Sequence, residues 1–380
     1  ENNVMINLSK YKNSNNIKYF FESNNNIINE GNSFNENMWK ACSEYGILAL
    51  SIPEKNGGIA TSYLESLVNH YSLGYSCHNN GLIFSINNSL IVSAGIFPKY
   101  ASSQQQEKYL PKLIDGKLIA SFALTDSNNG SDSFHTSTRV EKKDDKYVLN
   151  GNKMFISNAP IADIFIVIAR NTNLNGINSL CAFIVEKNDK GVSVGNEIKK
   201  MGLDGCPMGE LILNNCVLDS TRLLCNENCG LKIANDALDW ERCYEFASHL
   251  GTMQRILEET VRYVNSRKTY NRTIGKYQSI SNKLVQMKLN IEFGELLLEK
   301  IGYKKDQGKN TYMESAMFKL HIGESYAKAA LDMLQIHGAY GYSKESGIEK
   351  EVRDALAAKI YSGTSEVLSN VIASFLGIDV

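Results

Sequence analysis

The chain has 380 residues, of which 43% are hydrophobic and 21% charged, a composition typical of a globular enzyme and not of a disordered or fibrous chain. This length is enough for one large unit or for two to three subdomains that share cores. Because the formal net charge is −1, no overall positive field attracts nucleic acid or an anionic membrane, and we expect neither as a partner.

The eight cysteines form no CxxC units, and no His lies at zinc-finger spacing from them. Cys225 and Cys229 are the closest pair, and we interpret them as two reduced loop thiols in preference to a metal half-site or a redox pair. We therefore expect no metal site. The sequence has no unbroken run of about 18 apolar residues and no signal pattern at its start, so we predict a cytoplasmic protein.

The first region, up to about residue 117, has apolar residues at helical spacing, as at Met38, Cys42 and Tyr45. Paired glycines in the segment 53–58 predict a break between helices. We predict a helical domain over residues 1–117.

The middle region, from about 118 to 235, changes to a period of two or to short apolar runs. Five strands are predicted: Ile119 to Leu124, Tyr147 to Leu149, Ile164 to Ile168, Cys181 to Val185 and Leu211 to Leu213. Strands and helices do not alternate here, which argues against a Rossmann-type parallel sheet. We predict an antiparallel β domain over residues 118–235.

The last region returns to helical spacing, with one stripe at Met253, Ile256, Thr260 and Val264. It predicts a helical bundle over residues 236–380. The fold class is therefore α+β, with helices, a β domain and helices in chain order.

Two segments of the β domain carry candidate chemistry. Residues 122–132 end a strand and continue into a polar turn, which suits hydrogen bonding to a heterocycle or a phosphate. In residues 151–158, Phe155 and Ser157 are two positions apart in a strand and so share a face, where they could contact a flat ring. Taken singly, the first segment is an ordinary polar turn and Phe155 is a core residue.

Together the two segments resemble the "LTEP-x-AGSD" and "G-x-K-x-W-I-T-N" motifs of the acyl-CoA dehydrogenase family. The resemblance covers nearly the whole chain and keeps the family's order. Its other segments are YLPKLIDGK (109–117), MGLDG (201–205), GELILNNCVLD (209–219), ERCYEFASHLG (241–251), SRKTYNRTIGKYQSI (266–280), QIHGAYGY (335–342), EVRDA (351–355) and IYSGTSEV (360–367).

The resemblance implies a C-terminal four-helix bundle, bound FAD and a homodimer or homotetramer. Leu124, Thr125, Phe155 and Ser157 would contact the flavin ring system, and Ser131 the pantetheine arm of the substrate. The remaining FAD contacts, several of them from a neighbouring subunit, would be Arg267, Gln278, Gln335, Gly338, Gly341, Thr364 and Glu366. For Arg267 the alternative is a solvated helix charge.

The catalytic base must be a carboxylate in a water-poor pocket, which can remove the α-proton of a thioester. Most of the family carries it directly before the Gly-Thr of the last motif, where this chain has Ser362. A minority that includes isovaleryl-CoA dehydrogenase carries it before a structural Arg, which here selects Glu241, followed by Arg242. Arg242 and Ser362 are predicted on the substrate side of the site. Glu245, one helical turn later, is the fallback base, or else a surface residue.

The departures from the family pattern are Asp126 to Asn129, Tyr270-Asn271 and Ala339-Tyr340, and we expect them near the thioester. Added polar groups favour a small polar acyl group. We therefore predict an acyl or aminoacyl group on an acyl carrier protein, as in polyketide or nonribosomal peptide extender-unit pathways. A short branched-chain acyl-CoA dehydrogenase, an oxidase that passes electrons to oxygen instead of an electron-transfer flavoprotein, and a catalytically silent flavin-binding homologue stay open.

Overall fold

The computed structural model describes residues 12–24, 33–132, 134–174 and 179–379. In this part of the chain, helices come first, a seven-stranded sheet follows and helices return. This order confirms the fold class predicted from the change of hydrophobic period.

Among the described residues, five helices longer than one turn precede the sheet: α1 (Lys12–Ser23), α2 (Glu36–Glu44), α3 (Tyr63–Ser76), α4 (Asn80–Leu90) and α5 (Ser103–Ile114). Helices α2 to α5 each follow an Asn or Ser whose side chain accepts a hydrogen bond from the third backbone N–H of the helix. These caps satisfy amide groups that a helix start leaves unpaired. The predicted break is present, since Gly57 takes the left-handed conformation at φ +86° after the short turn Glu54–Asn56.

Helix α4 continues through a π-helical turn (Ile91–Ile96) into a short helix (Phe97–Tyr100). By length and composition alone, the span Asn80–Tyr100 could cross a membrane, although it contains no unbroken apolar run. However, 89% of its apolar window is buried inside the protein. This burial is that of a core helix.

The sheet has the order β1-β4-β2-β3-β7-β6, with β5 paired to β4. Its strands are β1 (Ala120–Ala123), β2 (Arg139–Lys143), β3 (Lys146–Ser157), β4 (Ile164–Asn171), β5 (Leu180–Glu186), β6 (Val192–Val194) and β7 (Met208–Asp219). All five predicted strands are present. Two were missed because β2 buries only Val140 and β6 has three residues, so neither shows a clear period.

The sheet is not purely antiparallel, because β4 runs parallel to both β1 and β2. About forty residues separate β1 from β4, including the β2–β3 hairpin, and this connection is long enough for a parallel return. The prediction of an antiparallel domain was therefore wrong for these two pairs.

Among the described residues, five helices longer than one turn follow the sheet: α6 (Gly230–Ser266), α7 (Gln278–Asp306), α8 (Tyr312–His337), α9 (Ile348–Ala357) and α10 (Ser365–Phe375). Helix α6 begins before residue 236, so the boundary placed at 235/236 falls inside it. It crosses α3 closely, because a Cβ at Gly74 or at Gly251 would overlap a backbone carbonyl of the other helix. This crossing fixes which face of α6 looks toward α4 and α8.

Cys225 and Cys229 form a disulfide in the turn before α6, contrary to the expectation of two reduced thiols. The turn brings their Cα atoms to 6.2 Å, within the usual disulfide range. The other six cysteines are buried free thiols.

Candidate active site

One face of α6 carries Glu241, Glu245 and His249, four residues apart and therefore on successive turns. Glu245 and His249 are buried, and Glu241 is half-buried. Helix α6 is unbroken here, with no proline and with cross-packing at Gly251, so this face is fixed. We call these three residues the α6 cluster.

The turn after α9 closes over the cluster. Ser362 and Gly363 both have positive φ, +56° and +95°. Arg242 Nε donates to the Ser362 carbonyl at 3.0 Å, and Lys319 Nζ of α8 donates to the Gly363 carbonyl at 2.6 Å. Two cations thus hold two successive carbonyls of a strained turn. Arg242, predicted on the substrate side, binds this turn.

The carboxyl of Glu241 has a pKa above its ordinary value, because burial penalises the charged form. Ser362, Arg242 and Lys319 each offset part of this rise. The buried Ser362 hydroxyl has no other hydrogen-bond partner within the described residues. Ser362, which occupies the family's usual base position, therefore lies next to the residue predicted to have replaced it.

The ammonium group of Lys319 is fully buried, and burial lowers its pKa to about 8. Arg242 contributes to this lowering of the pKa, while Glu241 acts in the opposite direction. Its nitrogen also lies 5.4 Å from the ring centre of Phe246. The positive charge of Lys319 thus binds the Gly363 carbonyl and stabilises the ionised form of Glu241.

Glu245 is only 1% exposed, which shows that the alternative of a surface residue was wrong. Its pKa is raised to about 8, chiefly by burial. The charge of Glu241 adds to this rise, and Asn87 of α4 opposes it. Neither carboxyl oxygen has a hydrogen-bond partner of good geometry among the described residues. Its Oε1 lies 3.5 Å from Nε2 of His249.

His249 is held as a neutral ring. Its pKa is lowered to about 3, chiefly by burial and to a smaller extent by the positive charge of Lys319. Its Nε2 is hydrogen-bonded to the Tyr361 hydroxyl, and its ring stacks on Tyr326 at 5.0 Å between centres. The contact between His249 and Glu245 is therefore not an ion pair near neutral pH.

The two motif segments of the β domain lie side by side. The N–H of Met154 donates to the Thr125 carbonyl at 3.0 Å. Phe155 is 59% exposed and has φ +59°, and Ser157 shares its side of the strand while Ile156 is buried opposite. Phe155 is therefore not the core residue that its type alone suggested, and its ring is presented outward beside Thr125.

Cys206, in the loop before β7, links these segments to the α6 cluster. Its pKa is raised to about 12, chiefly by burial, and both Glu245 and Ser157 act on it. Its thiol also donates to Asn158 Oδ1 at 3.3 Å, and Asn158 is bonded to Ser85 of α4. The structure therefore brings both Ser157 and Glu245 close to one buried thiol.

Asp126 and Lys153 form a fully buried ion pair at 2.6 Å, and Lys153 Nζ also donates to the Leu124 carbonyl at 2.7 Å. Burial would raise the pKa of Asp126, but Lys153, Thr136 and Thr138 together hold it well below its ordinary range. Lys153 thus ties the Leu124-Thr125 segment to the Phe155 strand.

The departures from the family pattern lie in three separate places. Asp126 is held in the buried ion pair with Lys153, and Tyr270 is 91% exposed in the loop after α6. Tyr340 lines a groove at the end of the helical bundle. None of them adds a polar group to the α6 cluster through a hydrogen bond or ion pair seen in the described residues. The argument from these residues for a polar acyl group therefore stays a prediction.

The second set of predicted cofactor residues lies at one end of the bundle. Arg267 and Gly338 line an open groove of about 600 Å³ together with Tyr263, His337 and Tyr340. Gln278 and Gln335 are exposed, whereas Gly341 is buried, with a Cβ there falling 2.7 Å from the Leu334 carbonyl. No hydrogen bond or ion pair joins these residues to the α6 cluster in the described part of the chain.

The three remaining predicted residues, Thr364, Glu366 and Ser131, are not among those that line this groove. Thr364 caps α10 by accepting from the Val367 N–H at 3.3 Å, and Glu366 is exposed in the first turn of that helix. Ser131 is exposed in the loop between β1 and β2.

Sequence reasoning missed Lys319, His249, Tyr361 and Asn87. Lys319 offered one signal, because it falls within the apolar stripe of α8 between Ser315, Ile322 and Tyr326, where a cation needs a partner. The others come from three separate elements, and only packing brings them together.

Three family models match the chain in order. They are the acyl-CoA dehydrogenase N-terminal domain over residues 21–117, the middle domain over 121–216 and the C-terminal domain over 228–377.

Proteins of similar sequence and structure act on prolyl carrier proteins. An L-prolyl-(peptidyl-carrier protein) dehydrogenase of Serratia sp. (strain ATCC 39006) is 33% identical over 341 residues, 90% of this chain and 88% of that protein. The crystal structure of the prolyl acyl carrier protein oxidase AnaB is 36% identical with a TM-score of 0.93, covering 98% of this chain and 100% of AnaB. The structure of PigA with FAD and proline is 29% identical with a TM-score of 0.91, covering 100% and 99%.

Proposed function

Because the chain belongs to the acyl-CoA dehydrogenase family, we propose that it is an FAD-dependent dehydrogenase in which Glu241 removes the α-proton of a small acyl thioester. The observation that carries this assignment is the pairing of Glu241 with Ser362. Ser362 occupies the family's usual base position and has no carboxylate. Glu241, at the alternative base position beside it, has one, and its pKa is raised. The recognition of the family from sequence is confirmed.

The residues present fit FAD. The exposed Phe155 ring, held in a strained backbone conformation beside Ser157 and the Leu124-Thr125 segment, offers a flat apolar wall with hydrogen-bonding groups at its edge. Arg267 in the groove at the bundle end offers a charge for the pyrophosphate. When bound, FAD supplies the acceptor for the hydride that leaves the atom next to the α-carbon.

The chain itself supplies the base and its surroundings. Glu241 takes the proton from the α-carbon onto its carboxylate, and its partial burial makes that carboxylate a stronger base. Arg242 and Lys319 fix the turn 362–363 against Glu241 and so hold the carboxylate in place. Both cations also keep the carboxylate ionised enough to act.

For the substrate, we propose an aminoacyl group tethered to a carrier protein, in a pathway that makes a secondary metabolite. The relatives that act on prolyl carrier proteins support this choice. So does the polar character of the α6 cluster, because Glu245, His249 and Asn87 would not be matched by a plain alkyl chain. A short branched-chain acyl-CoA is the alternative, supported by the position of Glu241.

The test is anaerobic titration of the bound flavin, followed by visible absorbance. We expect bleaching by prolyl or seryl groups on a carrier protein and little by isovaleryl-CoA or butyryl-CoA. Bleaching by the CoA esters alone would establish the degradative alternative. If the flavin stayed oxidised with every thioester, the result would favour the catalytically silent homologue. Admitting oxygen afterwards separates an oxidase from an enzyme that needs an electron-transfer flavoprotein.

We also propose a homodimer or homotetramer in the cytoplasm. A stripe of exposed apolar side chains on α7, at Val285, Leu289, Phe293 and Leu296, supports contact with another subunit. The six free thiols support a reducing compartment, against which the single Cys225–Cys229 disulfide stands.

The rate of flavin reduction is expected to fall as pH is lowered through the pKa of Glu241. A base acts only when ionised, so activity is present above this pKa and lost below it. Since burial raises the pKa, the loss should come at a higher pH than for an ordinary Glu, whose pKa is 4.5. Stopped-flow reduction across about pH 4 to 9, a range that includes the ordinary Glu value and the usual catalytic values, measures it.

Ser362→Ala provides the comparison for this profile. Removing the hydroxyl takes away a group that lowers the pKa of Glu241, so the acid limb should move to higher pH. A limb at or below pH 4.5 in both proteins would contradict the assignment.

A further inference from the structure

Glu245 has no part in the steps above, yet it is the most unusual carboxyl of the site. Its side chain is 1% exposed, and both oxygens lack a hydrogen-bond partner of good geometry within the described residues. A buried polar group without a partner is destabilising, and protein structures rarely keep one without a use for it. Glu245 therefore needs a partner that the described residues do not supply.

The groups that face Glu245 are neutral or acidic. They are Glu241 and His249 from its own helix, Tyr361 from the turn after α9, Cys206 from the loop before β7 and Asn87 from α4. The nearby cations Arg242 and Lys319 donate to the carbonyls of the turn instead. A positively charged ligand group is the partner that this pocket lacks.

The position of Glu245 fits that role. Side chains four residues apart on a helix have Cβ atoms about 5–6 Å apart and point the same way. Glu241 must reach the hydrogen on the α-carbon of the acyl group, and in an aminoacyl group the nitrogen is bonded to that same carbon. Two carboxylates on successive turns can therefore contact two substituents of one carbon.

We propose that Glu245 binds the protonated amino group of the acyl substrate and so selects α-aminoacyl thioesters over plain acyl thioesters. This inference rests on the proposed function, since it assumes a thioester placed against Glu241. It makes Glu245 a specificity residue and leaves proton abstraction to Glu241.

The charge of the pocket agrees with this role. Without a cation, burial keeps the carboxyl of Glu245 largely protonated near neutral pH, because its pKa is raised to about 8. An ammonium group within hydrogen-bonding distance favours the ionised form. Binding of an aminoacyl group should therefore release a proton, and binding of the group without nitrogen should not.

The test separates binding from reaction by using the Glu241→Gln protein, which holds a ligand without turning it over. Prolyl-pantetheine and cyclopentanecarbonyl-pantetheine differ only in the ring nitrogen and its proton. We expect the prolyl ligand to bind more tightly, by roughly 10–100-fold, as a charge-assisted hydrogen bond allows. Isothermal titration calorimetry in two buffers of different ionisation enthalpy gives both the affinity and the protons released.

Adding Glu245→Gln should abolish the preference and the proton release while leaving affinity for the cyclopentane ligand unchanged or higher. Glu245→Asp, which keeps the charge, should retain part of the preference. Glu295→Gln is the matched control, because Glu295 is also a buried carboxyl, with its pKa raised to about 7, but lies on α7 against Tyr71. It should leave the preference intact.

An equal loss of affinity for both ligands on Glu245→Gln, or an undiminished preference for the prolyl ligand, would overturn the proposal. Failure of the proposed function is distinguishable, because it would appear as an oxidised flavin with every thioester in the protein that keeps Glu241. The calorimetric preference is read independently of that result.

Discussion

Replacing Glu241 by Gln is expected to slow anaerobic flavin reduction by about 10²–10⁴-fold, the usual contribution of a positioned general base. The amide keeps the shape of the side chain but cannot take a proton. Because Phe155 and Ser157 lie on β3 and Arg267 lies at the C-terminal end of α6, many turns from Glu241, bound flavin should remain at the level of the unmodified protein. Stopped-flow absorbance with the best thioester of the panel measures the rate.

Two variants sharpen this result. Ser362→Glu in the Glu241→Gln background returns a carboxylate to the family's usual position and should recover part of the rate. Glu245→Gln should keep the chemical step for a plain acyl thioester. If Glu241→Gln reduces its flavin at the normal rate and Glu245→Gln does not, then the base is Glu245. Normal reduction in both single variants would show that neither Glu241 nor Glu245 is required as the base.

Replacing Lys153 by Met is expected to lower the free energy of unfolding by about 3–5 kcal/mol, because it leaves Asp126 charged, buried and without its cation. It also releases the Leu124 carbonyl, so the segment beside Phe155 should lose its position. We therefore expect the purified protein to hold less FAD. Urea unfolding and the ratio of flavin to protein absorbance measure the two effects.

Lys146→Met is the matched control at the start of the same strand. Lys146 is 60% exposed and lies 4.0 Å from Asp219, so its loss should change stability by less than about 1 kcal/mol and leave FAD content unchanged. Similar effects of the two substitutions would show that Lys153 has no special role in holding the segment.

The sequence by itself determined the fold class, because the change of hydrophobic period at the start of β1 and again at α6 reflects which faces are buried. It also determined the family and the candidate base, since the absence of a carboxylate at Ser362 and its presence at Glu241 are both visible in the chain. The spacing of Glu241 and Glu245 also places them on one helix face, because helical residues four apart point the same way.

Other predictions failed where they depended on contacts distant in sequence. The direction of β4 relative to β1 and β2 depends on how a long connection returns, and strand periodicity is the same for either direction. The disulfide of Cys225 depends on a turn geometry that spacing alone does not give. The buried ion pair of Asp126 was not predicted, because its partners Lys153, Thr136 and Thr138 lie on separate segments.

The chemistry of the site was decided only by the tertiary structure. The sequence does not show whether a Glu in a helix is exposed or buried. Packing of α4, α8 and the turn after α9 excludes water from Glu245 and leaves its carboxyl without a hydrogen-bond partner among the residues described. The same packing brought Lys319, Tyr361 and His249 together from elements up to 112 residues apart. Burial and charge depend on all the neighbours in space, and the order of residues along the chain specifies those neighbours only through the fold.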